Sequence, residues 1–455
     1  MGTPVRTPTP SRRRPPPKVP RSEEPTGFLG AWTTLVGPNW RPSVPPRRGR
    51  KPRVPVDQLL QALTFHVMQG AGTLAEHFFE LFQEPLANSS WSDRRSRLPW
   101  EIFADLMRRA LRPVATRRHR EAFWRGWRLA ALDGTQYSVT NTPQITATTT
   151  KAQTRRGRAA FAKITVNVLL ELGLHNPLAA GIGRQGESEW ELARGLLAQL
   201  PTGVVLLGDR LYGLPAFIVH ARAACQRVGS QFLFRVPRHL TAQVIRRLPD
   251  GSRRIRVAVR EKGRPSHILQ WLDLREIRVH VGRRGFRRTE LRFWTSLLSH
   301  RTAPALELAE LYATRWEQEL YFRDAKRVLR HGDVLQSHTL ETAAQEIEAI
   351  VLATALLARE RARAAAGQVP VLRLKFGVVL AVVRSLWFFL GPCEDLLTAR
   401  QQDQIVKRGE ALMRRCVTAK RRSRTCPRAV RQPVRKWPRL METHSVEGPL
   451  AFKIT

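Results

Sequence analysis

The apolar positions of this chain follow a helical spacing in some segments and a strand pattern in others. From Val56, the segments VDQLLQALTFHVMQG, TLAEHFFELFQ and LPWEIFADLMRRALRP place apolar residues three and four positions apart, which predicts a small helical domain ending near residue 120. The linker ANSSWSDRRSRLP carries arginines beside Trp91, and short helices with a basic turn suit a DNA-binding bundle. A bundle with a solvated charged loop is the alternative interpretation.

After Trp124 the pattern predicts strands and helices mixed in one α/β unit. GWRLAALDGT, AKITVNVLLELG, LAAGIG, GVVLLGD and QFLFRVP are typical of strands, and Ser188 begins a helix with the capping-box spacing to Glu191. Between about residues 238 and 298, segments such as RIRVAVRE and ELRFWTSLL predict a β-rich insertion. Helices resume with ALELAELYATRWEQELYFRDAKRVLR and continue to about residue 415, and the basic ending is predicted to be irregular.

The charge balance narrows the class of partner. The 455 residues include 77 Lys and Arg against 37 Asp and Glu, so the net charge is +40 and the isoelectric point is about 11.6. Such a chain is expected to bind a polyanion, because cations that neutralise phosphates release condensed counterions. Residues 1–55 are rich in Pro, Arg and Ser and are predicted to form a disordered basic arm. We expect a cytoplasmic, nucleoid-associated protein.

Several common kinds of site are not expected from the sequence. The four cysteines lie in no C-x-x-C pair and near no histidine at ligand spacing, which argues against a disulfide framework and a zinc site. No phosphate-binding G-x-x-x-x-G-K-[ST] loop occurs, so no nucleotide cofactor is expected. The N-terminus lacks the apolar stretch of a secretory signal, and the longest apolar stretch is interrupted by Arg384, so no membrane span is expected.

Asp133 and Asp209 share a sequence context. Each lies where a run of small and branched apolar residues gives way to Gly and polar residues, which predicts a carboxylate at the end of a buried strand. Such carboxylates face the crevice in which α/β sheets bind ligands, and an unpaired buried charge is costly without a cation. Two of them on neighbouring strands would suit a divalent metal ion. An ordinary turn or helix N-cap is the alternative for each aspartate alone.

Four polar residues are predicted to share one face of a helix. Tyr312, Arg315, Glu319 and Lys326 are offset by three, seven and fourteen positions. At about 100° per residue these offsets fall within an arc of about 60°. Apolar neighbours on that face predict partial burial, so the charges require a partner. Mutual pairs such as Arg315 with Glu319, worth about 0.2 to 0.5 kcal/mol, are the alternative explanation.

These motifs together resemble a known family. ALDGT, LLGDRLYG and the Y-x2-R-x3-E-x6-K pattern resemble the DDE transposases of bacterial insertion sequences in the YREK-signature class, the insertion-sequence-four-like family. SSWSDRRSRLP resembles the end of that family's N-terminal DNA-binding region, LQSHTLETAAQEIEAIVLA its helix after the catalytic Glu, and TCPRAVRQPVRKWPRL a common C-terminal ending. The resemblance therefore extends over most of the chain.

The resemblance implies an α/β, ribonuclease-H-like catalytic core in which Asp133, Asp209 and Glu319 form the catalytic and metal-binding triad. It implies cut-and-paste DNA transposition by hydrolysis and then transesterification, with two Mg²⁺ ions as cofactors and Mn²⁺ as an alternative. The implied partners are double-stranded DNA, both transposon ends and target, and a second copy of the chain. The corresponding division is a basic arm (1–55), a helical DNA-binding domain (56–120), the first part of the core (121–237), a β-strand insertion (238–298), the second part of the core (299–367) and a C-terminal helical dimerisation region with a basic tail (368–455).

The resemblance also implies contacts with DNA. Tyr312, Arg315 and Lys326 would contact phosphates of the transposon end near the cut. In members of the class the second strand is cut through a hairpin, which needs a base displaced from the stack. An aromatic side chain in the insertion would receive that base, and Trp294 and Trp271 are the candidates. A tryptophan in a β core is the alternative for both.

Two other functions stay open at this point. One is a non-catalytic, sequence-specific DNA-binding derivative of a transposase. The other is a ribonuclease-H-like metal nuclease that cleaves without strand transfer. The four-residue face favours a transposase, because a plain nuclease has no need to hold a defined DNA end.

Overall fold

The computed structural model describes residues 27–43, 53–149, 151, 153–154, 157–183, 186–282, 289–332, 334–393, 396–418 and 451–454. Before residue 111 the described residues form helices α1 (Phe28–Val36), α2 (Val56–Met68), α3 (Leu74–Phe82), α4 (Asn88–Ser96) and α5 (Glu101–Ala110). The helices predicted from Val56 onward are confirmed. Thr73 closes a capping box with Glu76 at the start of α3.

The predicted basic arm is wrong for residues 28–36. This segment forms α1, because Phe28, Trp32 and Leu35 lie on one helix face and are buried against the neighbouring helices. The apolar spacing of FLGAWTTLV outweighs the Pro and Arg content around it. The rest of the predicted arm falls largely on residues 1–26 and 44–52, which lie outside the described residues.

A large mixed sheet follows the helices. The strands are β1 (Phe123–Trp124), β2 (Trp127–Ser138), β3 (Gln153–Thr154), β4 (Gly157–Arg158), β5 (Lys163–Glu171), β6 (Asn176–Gly183), β7 (Val204–Gly208), β8 (Gln231–Arg235), β9 (Gln243–Arg247), β10 (Arg253–Glu261), β11 (Arg264–Gly282), β12 (Thr289–Thr295) and β13 (Ala451–Ile454). Eleven of them form one sheet in the order β6-β5-β2-β7-β8-β12-β11-β10-β9, with β1 on β2 and β13 on β11. The β2–β7 and β7–β8 pairs are parallel, and the other pairs are antiparallel.

Residues 238–298, predicted as a β-rich insertion, contain strands β9 to β12, and these strands extend the main sheet. β12 pairs with β8 on one side and with β11 on the other. The predicted irregular ending is wrong for residues 451–454, which form β13, while residues 419–450 lie outside the described residues.

The remaining helices cover the sheet and its ends. They are α6 (Pro143–Thr148), α7 (Glu189–Leu196), α8 (Pro215–Arg227), α9 (Ala305–Ala313), α10 (Trp316–Arg323), α11 (Leu340–Ala365), α12 (Phe376–Leu390) and α13 (Ala399–Arg415). Short 3-10 helices span Arg120–Ala122, Leu197–Gln199 and Val371–Arg373, and a π-helix spans Asp324–Leu329. The capping box predicted at Ser188 is confirmed at the start of α7.

Each face of the sheet contributes to a separate hydrophobic core. Val205 and Leu207 of β7 point to a core shared with α1, α2, α5 and α11. Val204 and Leu206 point to a second core beneath α7 and α8. The sequence of β7 is therefore apolar at every position, because both faces of the strand are covered. The part of the chain that the structure describes contains no helix long and apolar enough to cross a membrane.

The predicted basic linker before α5 is a helix that joins the N-terminal helices to the rest of the fold. Trp91 of α4 is buried, and Arg94 donates to the Val54 carbonyl. Arg95 donates to Gln345 Oε1 at 3.1 Å and to Ser337 Oγ at 2.9 Å. Two arginines of the predicted basic turn therefore make internal contacts.

A buried arginine ties the insertion to the segment that leads into α9. Arg275 is fully buried, and its guanidinium donates to Asp250, to the Ser252 hydroxyl and to the Ala303 carbonyl. Asp250 also accepts the Ala305 N–H at 2.9 Å. The start of α9 is thereby fixed against the insertion.

Candidate active site

Asp133 and Asp209 lie level with each other just beyond the C-terminal end of the parallel pairing between β2 and β7. β2 and β7 pair in parallel up to Ala131 and Leu207, and two further residues in the same register bring Asp133 level with Asp209. Asp209 directly follows β7, as predicted, and accepts the Leu211 N–H at 2.8 Å. Asp133 lies within β2, because that strand continues to Ser138 through its pairing with β5. Both carboxylates therefore lie where the sheet opens beyond the β2–β7 pair.

The environment of Asp133 disfavours its negative charge. Burial, together with the nearby charges of Asp209 and Glu189, raises the pKa of Asp133 to about 7, although Arg315 acts in the opposite direction. The Asp133 carboxylate also accepts the Gly134 N–H at 3.0 Å. A cation in addition to Arg315 would relieve the repulsion between Asp133 and the carboxylates of Asp209 and Glu189.

The predicted helical face is assembled from three consecutive helical pieces. Tyr312 lies in α9, Glu319 in α10 and Lys326 in the π-helix, while Arg315 occupies the turn between α9 and α10. In that turn the backbone bonds run from residue i+3 to residue i, for example from the Arg315 N–H to the Tyr312 carbonyl. The idealised arc of a single α-helix is therefore only approximate here.

Arg315 connects two of the carboxylates. Its Nη1 donates to Asp133 Oδ2 at 2.9 Å, and its Nη2 donates to Glu319 Oε1 at 2.9 Å. α10 is fixed to the sheet by Gln318, whose Nε2 donates to the Val168 carbonyl at 2.9 Å, and to the turn before β6 by a 2.8 Å hydrogen bond between His175 Nε2 and Glu317. The sequence-predicted Asp133, Arg315 and Glu319 thus meet in one network.

Tyr312 and Lys326 flank this network. The Tyr312 ring packs 4.6 Å from the Phe293 ring, and burial raises the pKa of its hydroxyl to about 12. The Lys326 Nζ donates to the Gln136 carbonyl at 2.5 Å and lies 4.7 Å from the centre of the Tyr137 ring. Lys326 therefore contacts β2 three residues beyond Asp133.

The two candidate tryptophans have opposite surroundings. Trp294 is 0% exposed on β12, and its Nε1 donates to Glu276 at 3.1 Å. A DNA base cannot reach it in this structure, so the prediction that Trp294 is a stacking residue is corrected to a core role. Trp271 is 49% exposed on β11, opposite Ala258 of β10, and its ring is accessible.

The carboxylates suit a hard divalent cation, although they do not yet form a closed cage. Among the described residues, no three acidic, histidine or cysteine side chains converge closely enough to hold one ion. The guanidinium of Arg315 lies between Asp133 and Glu319, which keeps their oxygens apart. Carboxylate oxygens are the ligands that Mg²⁺ prefers, and burial, together with the charges of Asp209 and Glu189, raises the pKa of Asp133 even though Arg315 is its partner. The donor set therefore fits a divalent metal.

The sequence patterns missed a fourth acidic residue at the site. Glu189 is the first residue of α7, and its Oε1 accepts the Tyr212 hydroxyl at 2.8 Å. Tyr212 belongs to the segment LLGDRLYG and in turn accepts from Asn167 Nδ2 at 2.7 Å. The capping pattern predicts roles for Ser188 and Glu191 only. No pattern in the neighbouring sequence marks Glu189 as a site residue, because its partners come from other elements.

Comparisons with known proteins agree on one family. The family model described as a transposase DDE domain matches residues 124–356. The transposase InsG for insertion sequence element IS4 of Escherichia coli (strain K12) is 28% identical over 238 residues, which cover 50% of this chain and 51% of InsG. A second relative, InsZ of the same strain, whose name also refers to a transposase, is 28% identical over 128 residues, which cover 28% of this chain and 43% of InsZ. The chain thus spans about half the length of the curated relatives it matches, or less.

Proposed function

Since this chain belongs to the transposase DDE domain family, we propose that it catalyses cut-and-paste DNA transposition by metal-dependent hydrolysis and transesterification at transposon ends. The observation that carries the proposal is the network in which Asp133, level with Asp209 at the end of the parallel pair, is joined through Arg315 to Glu319. The mixed sheet with helices on both faces supports a ribonuclease-H-like core.

Asp133, Asp209 and Glu319 would hold divalent metal, with Mg²⁺ the expected ion. When bound there, the ion would supply the positive charge that activates an attacking hydroxyl and stabilises the leaving oxygen at the scissile phosphate. The chain's own part is to present three carboxylates to the ion, two of which are bridged by the Arg315 guanidinium in its absence.

Tyr312, Arg315 and Lys326 would contact phosphates of the DNA end beside these carboxylates. The two cations supply charge and the phenol supplies a hydrogen bond, which hold the scissile phosphate in line for attack. Lys326 and Arg315 both reach β2, so their charges lie on the same side of the sheet as Asp133. Arg315 would exchange a carboxylate for a phosphate oxygen when DNA binds.

Trp271 is the aromatic residue that would stack on a displaced base. Its exposed ring can offer a stacking surface, a contact worth about 1 to 3 kcal/mol per base. The insertion would thereby serve the hairpin step.

Other parts of the chain would bind the partners. We assign DNA recognition to the N-terminal helices, and dimerisation of two end-bound copies to α12, α13 and the basic tail. The net charge of +40 supports double-stranded DNA as the partner. A DNA-binding protein of this charge would act in association with the nucleoid.

The test is strand cleavage of a labelled duplex that carries the element's own end, with Mg²⁺ present or chelated. The wild type should nick the end only with metal, while Glu319→Gln should bind the duplex and leave it uncut. Glu310→Gln is the matched control, because Glu310 is exposed on the preceding helix. Asp133→Ala and Asp209→Ala should behave like Glu319→Gln.

Two outcomes would favour the other functions. Binding without cleavage by the wild type, under conditions that let two ends pair, would indicate a non-catalytic DNA-binding protein. Cleavage without joining of the freed 3′ end to target DNA would indicate a metal nuclease.

A further inference from the structure

The Glu189 carboxylate lies directly over the residue that follows Asp133. A Cβ built on Gly134 would lie 2.4 Å from Glu189 Cδ, so any larger residue would force the Glu189 side chain to move. The Gly134 N–H, which donates to Asp133 Oδ1 at 3.0 Å, also faces the Glu189 carboxylate and acts to lower its pKa. The glycine in ALDGT is thus explained by a contact with α7.

The same carboxylate reaches the loop that follows Asp209. The Tyr212 hydroxyl donates to Glu189 Oε1 at 2.8 Å, and the Tyr212 ring packs on Gly208, the last residue of β7. Tyr212 is fully buried, and its hydroxyl accepts a hydrogen bond from Asn167 Nδ2 at 2.7 Å. Asn167 lies opposite Gly134 in the pairing of β2 with β5. One side chain therefore connects the backbone beside Asp133 with the loop beside Asp209.

We propose that Glu189 is a positioning residue that holds Asp133 and Asp209 at the separation needed to share a divalent cation, through its contacts with Gly134 and Tyr212. The inference rests on the proposed function. Outer residues that orient metal ligands contribute 10- to 100-fold to metal affinity or activity. Glutamine can keep both contacts, because its oxygen accepts the Gly134 N–H while its amide donates to the Tyr212 oxygen, which accepts as well as donates.

The experiment measures Mn²⁺ affinity by electron paramagnetic resonance, using the full chain bound to a pre-cleaved end duplex at pH 8. Glu189→Ala should weaken Mn²⁺ binding about 10- to 100-fold, Tyr212→Phe should weaken it less, and Glu189→Gln should stay within about threefold of wild type. Excess Mn²⁺ should restore the cleavage rate of Glu189→Ala on an uncut duplex. Glu191→Gln is the matched control, because glutamine preserves the capping box two residues away.

Each result decides the proposal. Unchanged affinity in Glu189→Ala overturns it, and so does an equal loss in Glu189→Gln, which would make Glu189 a direct ligand. If Glu189→Ala fails to fold, Tyr212→Phe decides: a folded variant with wild-type Mn²⁺ affinity overturns the proposal. Absence of Mn²⁺ binding by the wild type would instead refute the proposed function, and this inference with it.

Discussion

The guanidinium of Arg315 donates to Asp133 Oδ2 at 2.9 Å and so provides this buried carboxylate with a cation. Glu319 accepts from the same guanidinium at 2.9 Å. Both carboxylates are proposed metal ligands, and Arg315 is a proposed phosphate contact. Because one guanidinium cannot pair fully with both carboxylates and a DNA phosphate, metal binding and DNA binding should be coupled.

Replacing Arg315 should strengthen metal binding in the absence of DNA. Arg315→Gln removes a positive charge from beside Asp133 and Glu319, so the Mn²⁺ affinity of the DNA-free chain should rise about tenfold, or about 1.4 kcal/mol. Its affinity for the DNA end should fall, and the slope of binding against salt should decrease by about one. Titrations with Mn²⁺ and with a labelled end duplex measure the two effects.

Lys326→Gln is the matched control for that coupling. Lys326 is also a proposed phosphate contact, but it donates to the Gln136 carbonyl and lies over Tyr137. This variant should weaken DNA binding and leave the Mn²⁺ affinity of the free chain nearly unchanged. Equal effects of the two substitutions on Mn²⁺ affinity would contradict competition between Arg315 and the metal.

A methyl group at Gly134 should damage the site more than the fold. In Gly134→Ala the new Cβ would meet Glu189 Cδ at 2.4 Å, so the carboxylate must leave its place beside Tyr212. Cleavage should fall at least tenfold at fixed Mg²⁺. Gly195→Ala is the control, since Gly195 lies in α7 with no atom within 4 Å of an added Cβ and alanine favours helices. Wild-type cleavage by Gly134→Ala would contradict the packing argument.

Features encoded by neighbouring residues could be predicted from the sequence, whereas contacts between distant segments could not. The runs before Asp133 and Asp209 indicate buried strands, and the spacing of Arg315 and Glu319 indicates a shared face. Glu189 meets Gly134 and Tyr212 only after three elements come together, so no local pattern marks it. Likewise, the merging of the insertion with the main sheet depends on the pairing of β12 with β8.

The burial of the two candidate tryptophans also depends on contacts between distant segments, which the sequence does not reveal. Both lie in strands, and alternation alone does not say which side of a strand is covered. Trp294 is buried because β12 lies between β8 and β11 and its indole N–H meets Glu276. Trp271 lies on β11 beyond the end of its pairing with β12 and is half exposed. The difference depends on neighbours that are remote in sequence.

Metal affinity should depend on pH in a range where an ordinary aspartate is already ionised. Burial raises the pKa of Asp133 from 3.8 to about 7, so below that value a bound metal must displace a proton. Affinity should therefore rise with pH and level off above about 7. Mn²⁺ binding should be about tenfold weaker at pH 6 than at pH 8. Circular dichroism at both values checks that the chain stays folded, and a constant affinity from pH 5.5 to 8 would contradict the raised pKa.

Substituting the two tryptophans should separate a core role from a DNA contact. Trp294→Phe removes a buried hydrogen bond to Glu276 and should lower the free energy of unfolding by about 1 to 3 kcal/mol, measured by chemical denaturation. Trp271→Ala should change stability by about 0.5 kcal/mol or less. It should instead reduce the quenching of a 2-aminopurine placed at the end of the duplex, because the stacking surface is lost. Leu269→Ala is the control, since Leu269 is 57% exposed two residues away on the same strand. If Trp271→Ala and Leu269→Ala give the same fluorescence, Trp271 does not stack on the displaced base, and another residue must do so if a hairpin forms.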